Sequence, residues 1–134
     1  MNIKLAVKYS LILFSVTFLI GAIFSFTSGV IFCGFAPCET PIPIEVNIAK
    51  SLTVQLSMLI CFIVFSKNNK ETAWQICGLV VAIIWLASYP INVILMGVPQ
   101  ERWLYGLIGL VVSMTLGVVV GQRLKTSAEK APNK

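Results

Sequence analysis

The chain alternates between long uncharged apolar blocks and short polar links. The blocks, which contain no Asp, Glu, Lys or Arg, are residues 9–38, 51–66, 72–100 and 103–122. A helix needs about 20 apolar residues to cross the hydrocarbon core of a bilayer. The second block reaches this length when it starts near Val46 and includes Lys50. Backbone amides in hydrocarbon must bond within their own segment, which favours helices.

The pattern therefore predicts one all-α membrane domain over residues 1–134, with four transmembrane helices in an up-down-up-down bundle. The helices are expected at about residues 6–31, 46–66, 73–96 and 103–122, with an outer loop at 32–45 and a cytoplasmic tail at 123–134. Composition agrees, because charged residues make up 11% of the chain against about 25% in a soluble domain. No room remains for a soluble domain.

Positive charges concentrate on one side of the predicted membrane. Eight of the ten Lys and Arg residues lie before the first helix, between the second and third, or after the fourth; only Lys50 and Arg102 lie on the other side. Cytoplasmic loops carry the excess of Lys and Arg. We therefore expect a multi-pass inner-membrane protein with both termini in the cytoplasm. The net charge of +5 then reflects topology rather than nucleic-acid binding.

Cys33 and Cys38 flank a turn that contains Gly and Pro in the outer loop. Thiols outside the cytoplasm oxidise to disulfides, so we expect a Cys33–Cys38 disulfide across the end of helix 1. The alternative is a thiol–disulfide exchange site, which usually needs a second cysteine pair on the same face to pass electrons onward. Cys61 and Cys77 instead lie toward the cytoplasmic ends of helices 2 and 3, where a cysteine is usually a small buried hydrophobe.

Two of the predicted helices carry small residues at every fourth position. These residues are Thr17, Gly21, Ser25 and Gly29 in helix 1, and Gly109, Ser113, Gly117 and Gly121 in helix 4. Residues four apart lie on one helical face, and small residues let membrane helices approach closely. We expect helices 1 and 4 to pack together within one subunit. The alternative is a face for assembly into a homo-oligomer.

Helix 3 is interrupted by Pro90, which has no amide hydrogen and tends to kink a helix. Polar residues lie at a similar depth in the outer half of the membrane: Lys50, Gln55, Tyr89 and Asn92. A cation inside the membrane is costly unless it is paired or reaches the interface. We therefore expect Lys50 to extend toward Glu45 or Glu101. The alternative is a polar pocket, open to the outer face and lined by the four polar residues.

The groups needed for common membrane chemistry are missing. The chain has no His and its apolar blocks hold no Asp or Glu, so the titratable relay of a proton-coupled transporter and the base that activates a nucleophile are both lacking. No Cys or His spacing indicates a metal, and nothing indicates a cofactor. By analogy of size and layout, we expect a non-enzymatic accessory, immunity or exclusion-type subunit that binds another membrane component, and we expect that component to be a protein. The alternative is a small oligomeric channel or transporter.

The first prediction concerns orientation. A reporter enzyme that is active only in the periplasm should remain inactive when fused after Lys134, because the positive-inside bias retains that end in the cytoplasm. The same reporter inserted after Glu39, in the outer loop, should be active and serves as the matched control. Activity of the Lys134 fusion in whole cells would reverse the orientation.

The second prediction concerns the outer cysteines. In denatured but unreduced protein, a thiol reagent should modify Cys61 and Cys77 only, and reduction should expose Cys33 and Cys38 as well. Because the bond closes a short loop, replacing Cys33 and Cys38 by Ser should lower the free energy of unfolding by only about 1–3 kcal/mol. Modification of all four cysteines without reduction would exclude the disulfide.

Overall fold

Four long helices account for almost all of the chain that the structure, a computed structural model, describes. The described residues are 3–34, 43–95 and 97–129, with all their side chains except those of residue 33 and residues 125–129. The helices are α1 (Ile3–Cys33), α2 (Ile44–Asn68), α3 (Ala73–Tyr89) and α4 (Gln100–Glu129), and a π-helical turn (Pro90–Leu95) continues α3. The predicted all-α four-helix fold is confirmed. Helix α4 continues seven residues past the predicted end at 122.

The lengths and surfaces of the helices suit a bilayer. The stretches long and apolar enough to cross it are Ile3–Phe32, Ile44–Asn68, Ala73–Leu95 and Gln100–Leu124. Large apolar side chains face outward on every helix, as Phe26, Leu52, Leu86 and Ile108 illustrate. In water such a surface would be unstable, whereas lipid solvates it. The chain is therefore a multi-pass membrane protein.

The order of the helices around the bundle differs from their order along the chain. Helix α2 contacts α1, α3 and α4, and helix α3 contacts α1, α2 and α4. Helices α1 and α4 thus occupy opposite corners. The proximal end of the bundle is the end at which α1 begins and α4 ends, and at which α2 is linked to α3. The distal end is the opposite one, where α1 is linked to α2 and α3 to α4. Helices α2 and α4 run in the same direction.

The closest helix contact lies between α2 and α4. A Cβ atom on Gly117 would stand 2.5 Å from the Cβ of Phe62, and one on Gly121 would stand 2.7 Å from the carbonyl oxygen of Ile63. These separations are shorter than any packed carbon tolerates, so only glycine permits the approach. Gly109, Ser113, Gly117 and Gly121 therefore form one stripe, against which the bulkier side chains of α2 lie.

The prediction that helices 1 and 4 pack together is wrong for the described residues. No Cα of α1 lies within 8 Å of a Cα of α4. A Cβ on Gly21 or Gly29 would meet no other atom within 4 Å. Two small-residue stripes suggested a pair, but a glycine groove is equally complementary to large side chains. The α4 stripe is occupied by α2 within the subunit.

Buried apolar side chains concentrate in the proximal half of the bundle. They are Ala6, Leu13, Phe62, Phe65, Ala73, Ile76, Cys77, Val80, Val81, Leu110 and Val118, and all but Leu110 lie in the proximal halves of their helices. Tyr9 stacks on Phe65 with ring centroids 4.2 Å apart. The Asn69 amide donates a hydrogen bond of 2.8 Å to the Tyr9 hydroxyl. The proximal half is thus closed by side chains from all four helices.

The third prediction separates the two stripes. Gly117→Ala should lower the melting temperature, because the added methyl group overlaps Phe62; overpacking of this kind costs about 1–3 kcal/mol. Gly21→Ala, the matched control on α1, should leave stability unchanged or raise it, since alanine is the better helix former by roughly 1 kcal/mol. Thermal unfolding in mild detergent makes the comparison.

The wild-type protein should run as a monomer in mild detergent. The larger change Gly117→Leu should cause the variant to aggregate. A discrete wild-type oligomer that Gly117→Leu converts into stable, folded monomers would instead assign the stripe to contact between subunits.

Candidate intramembrane site

A cavity of about 550 Å³ lies between all four helices and extends from the middle of the bundle into its distal half. It occupies the space that separates α1 from α4. Its wall contains Phe14, Thr17, Phe18, Val54, Gln55, Met58, Ile84, Trp85, Ser88, Ile91, Asn92, Val98, Arg102, Trp103, Gly106 and Leu110. The wall is mostly apolar and aromatic, with a few polar groups, which is the usual composition of a small-molecule site.

An aromatic cluster forms the side of the cavity between α3 and α4. The rings of Trp85 and Trp103 stack with centroids 4.1 Å apart, and Tyr89 meets Trp103 edge-on at 4.9 Å. The Trp103 Nε1 donates a hydrogen bond of 2.9 Å to the Ser88 hydroxyl. Stacked rings of this kind contribute about 0.5–1.5 kcal/mol beyond the area they bury, which stabilises this side of the wall.

The opposite side is set by Gln55 of α2. The Ser113 hydroxyl donates a hydrogen bond of 2.8 Å to the Gln55 Oε1, and a Cβ on Gly109 would stand 2.5 Å from the Gln55 Nε2. Glycine at position 109 therefore makes the space that the amide occupies. Ser113, the polar residue of the α4 stripe, holds the Gln55 side chain in place at the cavity.

The π-helical turn brings Ile91 and Asn92 to the wall. A kink at Pro90 was expected, and the chain responds by winding residues 90–95 more widely. Turns of this kind occur often at functional sites. Beyond it, the amide of Val98 bonds to the carbonyl oxygen of Asn92 at 2.9 Å, and Gly97 adopts a φ of 64°, a conformation that glycine accepts readily.

The four residues of the predicted polar pocket separate into two pairs. Gln55 and Asn92 line the cavity, whereas Lys50 and Tyr89 lie outside its wall. The Lys50 ammonium group donates a hydrogen bond of 2.7 Å to the Ser25 hydroxyl of α1. Lys50 therefore joins α2 to α1, and it forms no described ion pair with Glu45 or Glu101.

Sequence reasoning missed most of the wall. Trp85 and Trp103 were not predicted to line a site, and Arg102 was counted only as a positive charge. Helical spacing carries the missing signal, because Trp85, Ser88 and Asn92 share one face of the third membrane segment. Arg102 and Gly106 likewise share a face of α4. Only the neighbouring helices show that these faces meet.

The structure describes some of the cysteines and of the possible metal ligands. Cys38 and the side chain of Cys33 lie outside the described residues, so their disulfide stays a prediction. In the described part of the chain Cys61 and Cys77 are free thiols, and no pair of cysteines is close enough to bond. Among the same residues, no group of three or more His, Cys, Asp or Glu side chains is placed to hold a metal ion.

Comparisons with protein families, with curated proteins and with solved structures find no match to this chain. Function therefore has to be inferred from the cavity, from the polar groups in its wall and from the closed packing of the proximal half. These three features are geometric and depend on no relative.

Proposed function

We propose that this chain is a non-enzymatic protein of the inner membrane, with both termini in the cytoplasm, that binds another component of the membrane. The component that the geometry favours is a small amphiphile, which enters the distal cavity from the surrounding lipid. The single observation that carries the proposal is the cavity between the four helices.

The size and composition of the cavity support a small ligand rather than a protein partner. Its volume of about 550 Å³ falls inside the range of about 300–1,000 Å³ typical of small-molecule sites. A protein partner would need an exposed complementary face. The strongest candidate for such a face, the α4 stripe, is already covered by α2.

The closed proximal half argues against the runner-up, a channel or transporter. A pore requires a polar path through the whole membrane, as the polar linings of known channels illustrate. Here the polar wall groups lie in the distal half, while Phe62, Phe65, Val80 and Val118 are buried in the proximal half. A pocket closed at one end binds a molecule without conducting it.

Chemistry on the bound molecule has little support among the described residues. The polar groups of the wall are hydroxyl, amide, indole and guanidinium groups, and none of them is an ordinary general base at neutral pH. The thiol-exchange alternative draws no support from Cys61 and Cys77, which lie in the proximal half, away from this wall. Binding is the simplest use of the site.

The fourth prediction fills the cavity. Gly106 lines it, and a Cβ there would meet no atom within 4 Å, so Gly106→Phe should place a ring in the cavity without displacing the backbone. Native mass spectrometry of wild-type protein in mild detergent should show a retained amphiphile. Occupancy in Gly106→Phe should fall roughly tenfold, which corresponds to about 1.4 kcal/mol of binding free energy.

The matched control is Gly78→Phe, which places the same ring on α3 outside the wall, again with no atom near its Cβ; it should retain the amphiphile. Wild-type protein that carries no amphiphile, even after incubation with a membrane lipid extract, would contradict the proposal. Solute flux through wild-type protein in liposomes would favour the channel instead.

A further inference from the structure

Several polar groups of the cavity wall already make hydrogen bonds within the protein. The hydroxyl groups of Thr17 and Ser88 donate their hydrogens to the backbone, at 2.9 Å to the Leu13 oxygen and 2.7 Å to the Trp85 oxygen. The Ser88 oxygen also accepts from Trp103, and the Gln55 oxygen accepts from Ser113. The hydroxyl hydrogens and the Gln55 oxygen are therefore already used.

The groups left over are mainly donors. The indole Nε1 of Trp85 is buried and has no hydrogen-bond partner, the only buried side-chain nitrogen or oxygen of the described residues in that state. Among the described residues, the Arg102 guanidinium group has no hydrogen-bond or ion-pair partner, and its neighbour Glu101 does not pair with it. The uncommitted acceptors in the wall are the lone pairs of the Thr17 hydroxyl and the amide oxygen of Asn92.

The two donors lie at the same level of the bundle. Trp85 stacks on Trp103 at 4.1 Å, and Arg102 is the residue before Trp103, in the first turn of α4. That turn contributes to the distal part of the cavity wall. The exposed guanidinium group of Arg102 is suited to a head group rich in acceptors, whereas the indole Nε1 of Trp85 is covered by protein atoms and lies out of reach of a ligand.

We infer that the cavity selects a single-chain amphiphile with a carboxylate head group, such as a long-chain fatty acid. The head group binds at Arg102, and the alkyl chain lies against the apolar wall that includes Phe14 and Phe18. This inference rests on the proposed function and specifies its ligand.

Two physical reasons favour this ligand. A carboxylate only accepts hydrogen bonds, and its two oxygens match the fork of a guanidinium group. The cavity has room for one alkyl chain and a compact head group, whereas a two-chain phospholipid would leave one chain outside.

The test compares two amphiphiles that differ only in the head group. Trp74, which is exposed near the proximal end, is replaced by Phe so that fluorescence comes from Trp85 and Trp103 alone. Dibrominated stearate and dibrominated stearyl alcohol are titrated into this protein in uncharged detergent, and bromine quenching reports binding. Stearate should bind at least about tenfold more tightly, as expected for charge-assisted hydrogen bonds.

Variants assign this preference to residues. Arg102→Gln should remove the difference between stearate and the alcohol while leaving alcohol binding intact. Lys67→Gln, which removes one positive charge from the proximal end, is the matched control and should keep the difference. Gly106→Phe should abolish quenching by both amphiphiles.

The outcomes distinguish the two proposals. Equal affinity for stearate and the alcohol, or an unchanged preference in Arg102→Gln, would overturn the inference about the head group and leave the proposed amphiphile binding intact. Absence of saturable quenching by either amphiphile, or quenching that Gly106→Phe does not alter, would overturn the proposed function itself.

Discussion

The contact between α2 and the glycine stripe of α4 is the constraint on which the rest of the bundle depends. Lipid offers helices no hydrophobic gain on association, so close van der Waals packing has to hold them together. Gly117 and Gly121 let the backbone of α2 approach to a distance that any side chain would prevent. Because α2 occupies this face of α4, α1 cannot pack there. Helices α1 and α4 therefore lie at opposite corners of the bundle.

The cavity is a consequence of that arrangement. At the proximal end α1 is held close by buried contacts such as the stacking of Tyr9 on Phe65 and the hydrogen bond from Asn69. In the distal half the described connection from α1 to α2 includes the bond between Lys50 and Ser25, and among the described residues no Cα of α1 lies within 8 Å of a Cα of α4. Because α1 and α4 stay apart, the four helices enclose a pocket between them.

The polar groups of the chain also differ between the proximal and distal halves in the hydrogen bonds they make. In the proximal half, Ser66 donates to the Val118 oxygen at 3.2 Å and thereby strengthens the α2–α4 contact. In the distal half, Ser113 donates a hydrogen bond to the Gln55 Oε1 at the edge of the cavity, while the buried Nε1 of Trp85 has no partner among the described residues. A buried polar group without a partner destabilises the fold.

The sequence by itself determined the four membrane helices, because the length of an uncharged apolar block is measured directly against the thickness of a bilayer. It also identified the α4 stripe as a packing face and Pro90 as an irregularity, since both are properties of a single helix. The partner of the stripe was assigned wrongly, because a glycine groove accepts large side chains such as Phe62 as readily as a second row of small ones. The cavity, the meeting of Trp85 with Trp103 and the separation of Lys50 from Gln55 were decided by tertiary structure alone. Each depends on which faces of different helices lie opposite each other, and the periodicity within one helix carries no information about its neighbours.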